Sequence, residues 1–469
     1  MPAEPLDPEA LHFLPLGGTG EIGMNLNLYH TAGRWLMVDC GVMFGRDGPH
    51  DMHAIYPDPS FIVARRHQLE GLVLTHAHQD HIGAVADLWP KLRCRVFASR
   101  FCAAMLRSAL VEAGIADEVP VRLLDERARI KLGPFELQRV PLTHSTVEMG
   151  ALVIRTKRGA VLHTGDWKLD PMPVEGRTTD RRALLNLADE DVLACVSDST
   201  NADSEGWTPS EGSLQEPLRE LFASCEHRVA VTLFASNVAR IRTIVQAGLD
   251  SDRHPMILGR SLEKTIRAAQ ASGYLTDLPD FVPLREFGFL PRERVLLLCT
   301  GSQGEPRAGL SRLAADKLRD VYFEPDDAVV FSARAIPGNE LFIQRLERLF
   351  DDRGVRIVRS DAVPVHVSGH PRRDELRELY DWVQPRTVIP VHGTPPKLEA
   401  HAELAEAGGM DAVRMRNGEI LRIAPGPMQV VRRVRTGRIR RVEESRGARR
   451  PRPDRRNARG RRPSANRRR

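Results

Sequence analysis

The chain has 469 residues, 42% of them hydrophobic, and a formal net charge of +6. That length allows two or three domains with ample cores, and no apolar run reaches the roughly eighteen residues a membrane span needs. The start, "MPAEPLDPEALHF", lacks the basic residues and apolar run of a secretory signal, and the six cysteines form no CxxC pair, so a reducing, cytoplasmic setting without a disulfide framework is expected. The charge is uneven. Residues 432–469 hold eighteen arginines against three acids, which leaves about −9 on the other 431 residues.

Near the N-terminus, Gly18-Thr19-Gly20-Glu21-Ile22-Gly23 has the spacing of a dinucleotide-binding loop, and Asp39 follows at the distance of a ribose-binding acid. A pyrophosphate site needs a helix to begin at the third glycine. Here Met24 to Tyr29 alternates apolar and polar residues, which predicts a strand. "HTAGR" then predicts a tight turn and "WLMVD" a second strand. The glycines are expected to turn the chain below a site whose chemistry lies elsewhere.

The next strand-like run, "GLVLTH", leads into "LTHAHQDHIGAV". In extended chain His76, His78 and Asp80 project to one side, and a helix starting near His81 turns that imidazole back towards them. Imidazoles with a carboxylate suit zinc, or manganese where oxygen ligands dominate. Asp39 after "WLMV", His144 in "PLTHST" and Asp166 in "HTGDW" also end apolar strands. Each alone reads as a turn or cap residue. Together they supply ligands for two ions: His76, His78 and His144 for one, Asp80 and His81 for the other, with Asp166 bridging. This set resembles the metallo-β-lactamase fold, whose signature is HxHxDH followed by a distant His and Asp on later strands. The resemblance makes Asp39 a residue that orients a ligand histidine.

From Trp207 to about Gly354 longer amphipathic helices alternate with apolar strands such as "RVAVTLFAS" and "RVLLLCTGS", which predicts a second α/β domain with a parallel sheet. After Val355 short strands return, "RTVIPVHG" again ending in histidine, so the second domain reads as an insertion. The resemblance to the metallo-β-lactamase fold implies an α/β, αββα sandwich over 1–206 and 355–431, and the pattern adds an inserted α/β domain over 207–354 and a basic disordered tail over 432–469.

"CVSDSTNADSEGWTPSE", "LCTGSQGEP", "ARAIPGNE", "HVSGH" and "IPVHGT" resemble, in order, segments of the ribonuclease J family of β-CASP nucleases, from about Phe13 to Gly426. The resemblance implies a metal-dependent ribonuclease, 5′-to-3′ exonucleolytic with internal cutting as well, acting on 5′-monophosphorylated RNA in RNA decay and in rRNA and mRNA processing. It implies two divalent ions, zinc first and manganese second, with His392 completing the second ion's ligands. Asp80, Asp198 and His370 become catalytic, His370 stabilising charge on the phosphate. His366, Ser368 and Gly369 become the terminal-phosphate pocket, assisted by Arg334 and by Gly301-Ser302. A homodimer is implied too, although full-length relatives carry a further C-terminal domain that supports oligomerisation. A hydrolase of small esters or thioesters is the alternative reading, and the large insertion argues against it. The tail is expected to hold RNA phosphates and to leave turnover untouched, since no predicted ligand lies beyond His392.

Overall fold

The computed structural model describes residues 6–48, 51–127, 129–336 and 338–441. Among these the strands form four sheets. The first hairpin shows how local chemistry sets the frame. Leu11–Gly17, Leu26–Thr31 and Arg34–Val38 run antiparallel in turn, and Thr31 opposes Arg34 across a two-residue turn. Ala32 and Gly33 both take positive φ, 50° and 72°, the twist that matches paired strands. No helix follows Gly23. The dinucleotide reading fails on this geometry, as the period of two predicts.

Those strands belong to an eight-stranded sheet that continues through the parallel strands Leu69–Val73, Val96–Ala98 and Val121–Leu123. A seven-stranded sheet faces it, with Thr387–Val391, Val192–Asp198 and Gly159–His163 parallel at its centre. Phe13, Tyr29, Val38 and Val73 of the first sheet share one buried cluster with Leu137, Ile154, Val196 and Ile389 of the second. The outer face of the first sheet meets helices Val85–Leu92 and Arg100–Ala113 through Leu88, Trp89, Phe101 and Leu106. The outer face of the second meets Arg373–Val383 and Pro395–Ala407 through Leu376, Leu379, Trp382 and Leu404. The result is the expected αββα sandwich. Strands buried on both faces read as continuous apolar runs, which is why polar residues at their ends stood out.

A third, all-parallel sheet of five strands runs His254–Leu258, Val295–Cys299, Val229–Leu233, Ala328–Ser332 and Arg356–Val358. Its helices Gln215–Ala223 and Val238–Asp250 bury Leu218, Ile241 and Ile244 in the cluster that also lines the first sheet's helix layer. The insertion is thus joined to the sandwich by a continuous core.

Two boundaries differ from the sequence reading. Arg356–Val358 pairs with Ala328–Ser332, so the insertion extends past Gly354: the short run has the strand pattern of its neighbours, and only pairing assigns it. Residues 432–441 are not the start of a disordered tail. Gln429–Arg433 pairs with Glu419–Ala424, and Arg438–Arg440 pairs with Asp51–Pro57. Arg438 donates to Glu21 Oε2 at 2.6 Å, and Arg441 donates to the Gly83 carbonyl at 2.7 Å and to Asp87 Oδ2 at 2.9 Å. The rest of the predicted tail, 442–469, lies outside the described residues. No described helix is long and apolar enough to cross a membrane.

Candidate metal centre

The parallel strands bring their carboxyl ends to one edge of the sandwich, where open α/β sheets place their sites. Leu69–Val73 leads to His76 and His78, Gly159–His163 to Asp166, Val192–Asp198 ends in Asp198, and Thr387–Val391 leads to His392. His78 is the extended residue before the single helical turn Gln79–Ile82, whose residues Asp80 and His81 fold back over the strand ends. The turn is pinned by backbone hydrogen bonds from Asn25 N to the Asp80 carbonyl at 2.9 Å and from Cys40 N to the His81 carbonyl at 2.7 Å. Gly41 has no room for a side chain: a Cβ there would stand 1.6 Å from the Asp80 carbonyl oxygen.

Three overlapping groups of side chains each place their ligand atoms within 4.8 Å of one another. They are His76, His78, His144 and Asp166; Asp80, His81, Asp166 and His392; and Asp166, Asp198, His370 and His392. Asp166 belongs to all three. Every residue singled out from the sequence as a metal ligand therefore lies in one constellation.

The partners of the imidazoles fix which nitrogens remain available. Thr75 gives its hydroxyl proton to Asp39 Oδ2 at 2.9 Å, so its oxygen accepts from His76 Nδ1 at 3.0 Å. That leaves His76 Nε2 as a bare lone pair, fully buried and without a hydrogen-bond partner among the described residues. His144 Nδ1 donates to the Gly369 carbonyl at 2.6 Å, which turns its Nε2 to within 3.0 Å of His78 Nδ1. His81 Nδ1 donates to Asp39 Oδ2 at 2.7 Å, and its Nε2 lies 3.2 Å from Asp166 Oδ2. A buried polar atom without a partner costs about 1–3 kcal/mol. Lone pairs converging with the Asp166 carboxylate, whose Oδ1 and Oδ2 lie 3.2 Å from His392 Nδ1 and His81 Nε2, fit cations and fit little else.

Electrostatics agree. Burial, with the neighbouring imidazoles, holds His76 and His144 well below the usual histidine range and His78 at about 4, the neutral form a metal requires. Burial also opposes charge on His392, but the Asp166, Asp198 and Asp80 carboxylates outweigh it and push His392 up to about 10. A dry site with so many carboxylates needs positive charge, from protons or from cations.

The glycine loop now has a role. Gly18 offers its carbonyl to the backbone N–H of His392 at 2.6 Å, and Gly23 N–H points at His392 Nε2 from 3.3 Å. Gly18 takes φ +87°, and a Cβ there would stand 2.2 Å from Asn25 Oδ1. The loop cradles a histidine, not a pyrophosphate.

On the far side, His370 Nδ1 donates to Asp198 Oδ2 at 2.7 Å, and Asp198 Oδ1 accepts from the Thr200 amide and hydroxyl. Gly369 packs so closely on His144 and Ser145 that a Cβ would stand 2.8 and 2.6 Å from them. Ser368 Oγ accepts from Asn201 Nδ2 at 2.9 Å and from His370 N at 3.2 Å. Arg334 is exposed, donates to Asn201 Oδ1 at 3.2 Å, and forms no ion pair among the described residues. His366 lies apart from the metal cluster, its Nδ1 3.3 Å from the buried Arg240 guanidinium. Gly301 and Ser302 sit at the end of Val295–Cys299 in the inserted sheet, also outside the cluster. Sequence reasoning missed Thr75, Thr200 and Asn201. Asn201 ties the Asp198 loop to the His370 loop, and its only signal was its place in "SDSTNAD".

Comparison with known proteins follows the same division. The family model described as "Beta-lactamase superfamily domain" matches residues 34–192, "Ribonuclease J, beta-CASP domain" matches 226–349, and "Zn-dependent metallo-hydrolase RNA specificity domain" matches 357–415. The ribonuclease J of Sinorhizobium meliloti is 44% identical over 436 residues, covering 92% of this chain and 77% of its own. That of Mycolicibacterium smegmatis is 38% identical over 445 residues, covering 93% and 79%. A solved structure of a protein of unknown function from Enterococcus faecalis superposes with a TM-score of 0.61 at 15% identity, over 88% of this chain and 99% of the other, and shares the fold.

Proposed function

The chain belongs to the ribonuclease J family of metal-dependent RNA nucleases, and from that premise we propose that it degrades 5′-monophosphorylated RNA from the 5′ end and also cuts internally. One observation carries the proposal. The Ser368-Gly369-His370 turn is part of the metal centre, through Gly369 to His144 and through His370 to Asp198. A terminal phosphate held at Ser368 and Gly369 therefore lies beside the reacting phosphodiester, with His366 and Arg334 as supporting contacts.

In this reading His76, His78, His144 and Asp166 hold one divalent ion, and Asp80, His81, Asp166 and His392 hold the second, zinc first and manganese second. Ions bound there supply Lewis acidity that activates water near neutral pH and neutralises the phosphate. His370, its Nδ1 held by Asp198, presents Nε2 to the charge that develops on phosphorus-bound oxygen. Asp39 fixes the His81 ring. The water oxygen joins phosphorus, the bond to the 3′ oxygen breaks, and that oxygen leaves as an alcohol. The new end again carries a 5′-phosphate, which suits repeated rounds. A cytoplasmic homodimer acting in RNA decay and rRNA and mRNA processing completes the proposal. The small-ester alternative finds no support in a chain matched by an RNA specificity domain.

The test uses metal-replete protein and RNA carrying a 5′-monophosphate or 5′-triphosphate. Asp80→Ala and His81→Ala should abolish cleavage and leave RNA binding largely intact, and the monophosphate should be degraded faster. Near-normal cleavage by either variant overturns the ligand assignment, and equal rates on both RNAs overturn the pocket.

A further inference from the structure

Glu375 is fully buried in the first turn of the helix Arg373–Val383, and no cation pairs with it among the described residues. Its carboxylate accepts three backbone N–H groups from three separate segments. Leu169 N reaches Oε1 at 2.8 Å, Thr208 N reaches Oε2 at 2.8 Å, and Arg372 N reaches Oε2 at 2.9 Å. A helix-capping role explains the bond from Arg372 alone. The other two donors lie 206 and 167 residues away in sequence.

Each segment carries a residue of the metal centre. Leu169 follows Asp166 by three residues. Arg372 follows His370 by two. Thr208 lies in the loop that leaves Asp198, and its hydroxyl donates to the His370 carbonyl at 2.7 Å, a carbonyl that Asn201 also holds at 3.1 Å. We propose that Glu375 is a positioning residue for the nuclease reaction: it sets the spacing of the Asp166, Asp198 and His370 loops, and so governs turnover more than RNA affinity. The proposal rests on placing those three residues at the reacting centre.

Glutamine at 375 has one acceptor oxygen and an NH2 that must face either Leu169 N–H or the Thr208 and Arg372 pair, donor against donor. Small displacements of reacting groups cost up to about a hundredfold in rate. Glu375→Gln is therefore expected to lower kcat by roughly tenfold to a hundredfold with KM for RNA nearly unchanged. Asp327→Asn is the comparator. Asp327 is also fully buried and accepts from Arg228 N at 3.0 Å and Glu324 N at 2.8 Å, but it lies in the inserted domain. It should lower Tm and leave kcat alone. Wild-type kcat in Glu375→Gln, or kcat and KM moving as in Asp327→Asn, overturns the proposal. If Glu375→Gln does not fold, Glu375→Asp, which keeps the charge and both acceptor oxygens but is one methylene too short to hold Leu169 N and Thr208 N together, should show the same kcat-selective loss, and its absence is equally decisive. His370→Ala in the same assay separates the failures: if it keeps full activity, the site reading itself is wrong.

Discussion

Asp39 Oδ2 lies 2.7 Å from Nδ1 of His81, although the two residues leave different elements, a strand and a helical turn. The same carboxylate accepts from the Thr75 amide and hydroxyl at 2.8 and 2.9 Å. One buried acid thus sets the orientation of His81 directly and that of His76 through Thr75. This is the arrangement that metal-ligand histidines need, since the partner of one ring nitrogen decides what the other can do.

Asp39→Asn tests it cleanly. Asp39 has φ 62°, a conformation asparagine accepts as readily as aspartate, so the backbone is spared. The new amide either presents N–H to His81 Nδ1, which moves the ring proton to the atom facing the metal, or turns and sets its NH2 against the Thr75 amide, losing that bond. Metal affinity, measured by chelator competition, should fall about 10- to 100-fold, with activity partly restored by excess metal. Unchanged affinity would remove Asp39 from the centre.

A second prediction concerns pH and lies away from the metals. His12 and His30 are opposed across the first antiparallel pair, Nδ1 to Nδ1 at 3.3 Å, both buried. Burial, reinforced at His30 by its partner, pulls both down to about 4. A folded-state pKa below the unfolded value near 6.5 means that stability is complete above about 6.5 and is lost as pH falls towards 4. The loss is about 1.4 kcal/mol per pH unit for each histidine, hence roughly 2 kcal/mol each by pH 5. Urea unfolding at pH 7 and pH 5 should show a smaller difference for His30→Gln than for the wild-type chain, by about that amount. Equal differences would mean that the pair titrates normally.

What the sequence made legible, and what it hid, follows from distance along the chain. His76, His78, Asp80 and His81 lie within six residues, and apolar runs lead to Asp39, His144 and Asp166, so pattern alone exposed them, whereas Asp198 came from the resemblance of its segment. Glu375 was invisible because two of its three donors come from remote segments. The order at Arg438 and Arg441 was invisible for the same reason. An arginine-rich run reads as solvated until Glu21 and Asp87 are seen beside it. The contact of His366 Nδ1 with Arg240, 3.3 Å away, was hidden too, since the two residues are 126 apart in sequence.

That hidden order divides the basic C-terminal run into two parts with different duties. Residues 442–469 hold twelve arginines against three acids, hence +9, without a lysine. Guanidinium groups pair with phosphates and stack on bases. Deleting 442–469 should therefore weaken RNA binding and flatten its salt dependence. On single-stranded RNA the slope should fall by close to 0.7 of a unit for each phosphate no longer neutralised, while kcat at saturating RNA stays the same. Deleting from Val434 onward is a different experiment. It also removes Arg438, whose partner Glu21 accepts from Gly18 N at 3.2 Å and Asn417 Nδ2 at 2.7 Å, and Gly18 in turn holds the backbone of His392. It removes Arg441 from the Gly83 carbonyl, two residues past His81. Both sides of the second proposed ion lose a support, so metal affinity and kcat should drop in the longer deletion alone. Superimposable salt slopes for full-length and 1–441 protein would leave the arginines without a role in RNA binding. Equal kcat and metal affinity in 1–441 and 1–433, with both folded, would show that residues 434–441 do not steady the centre.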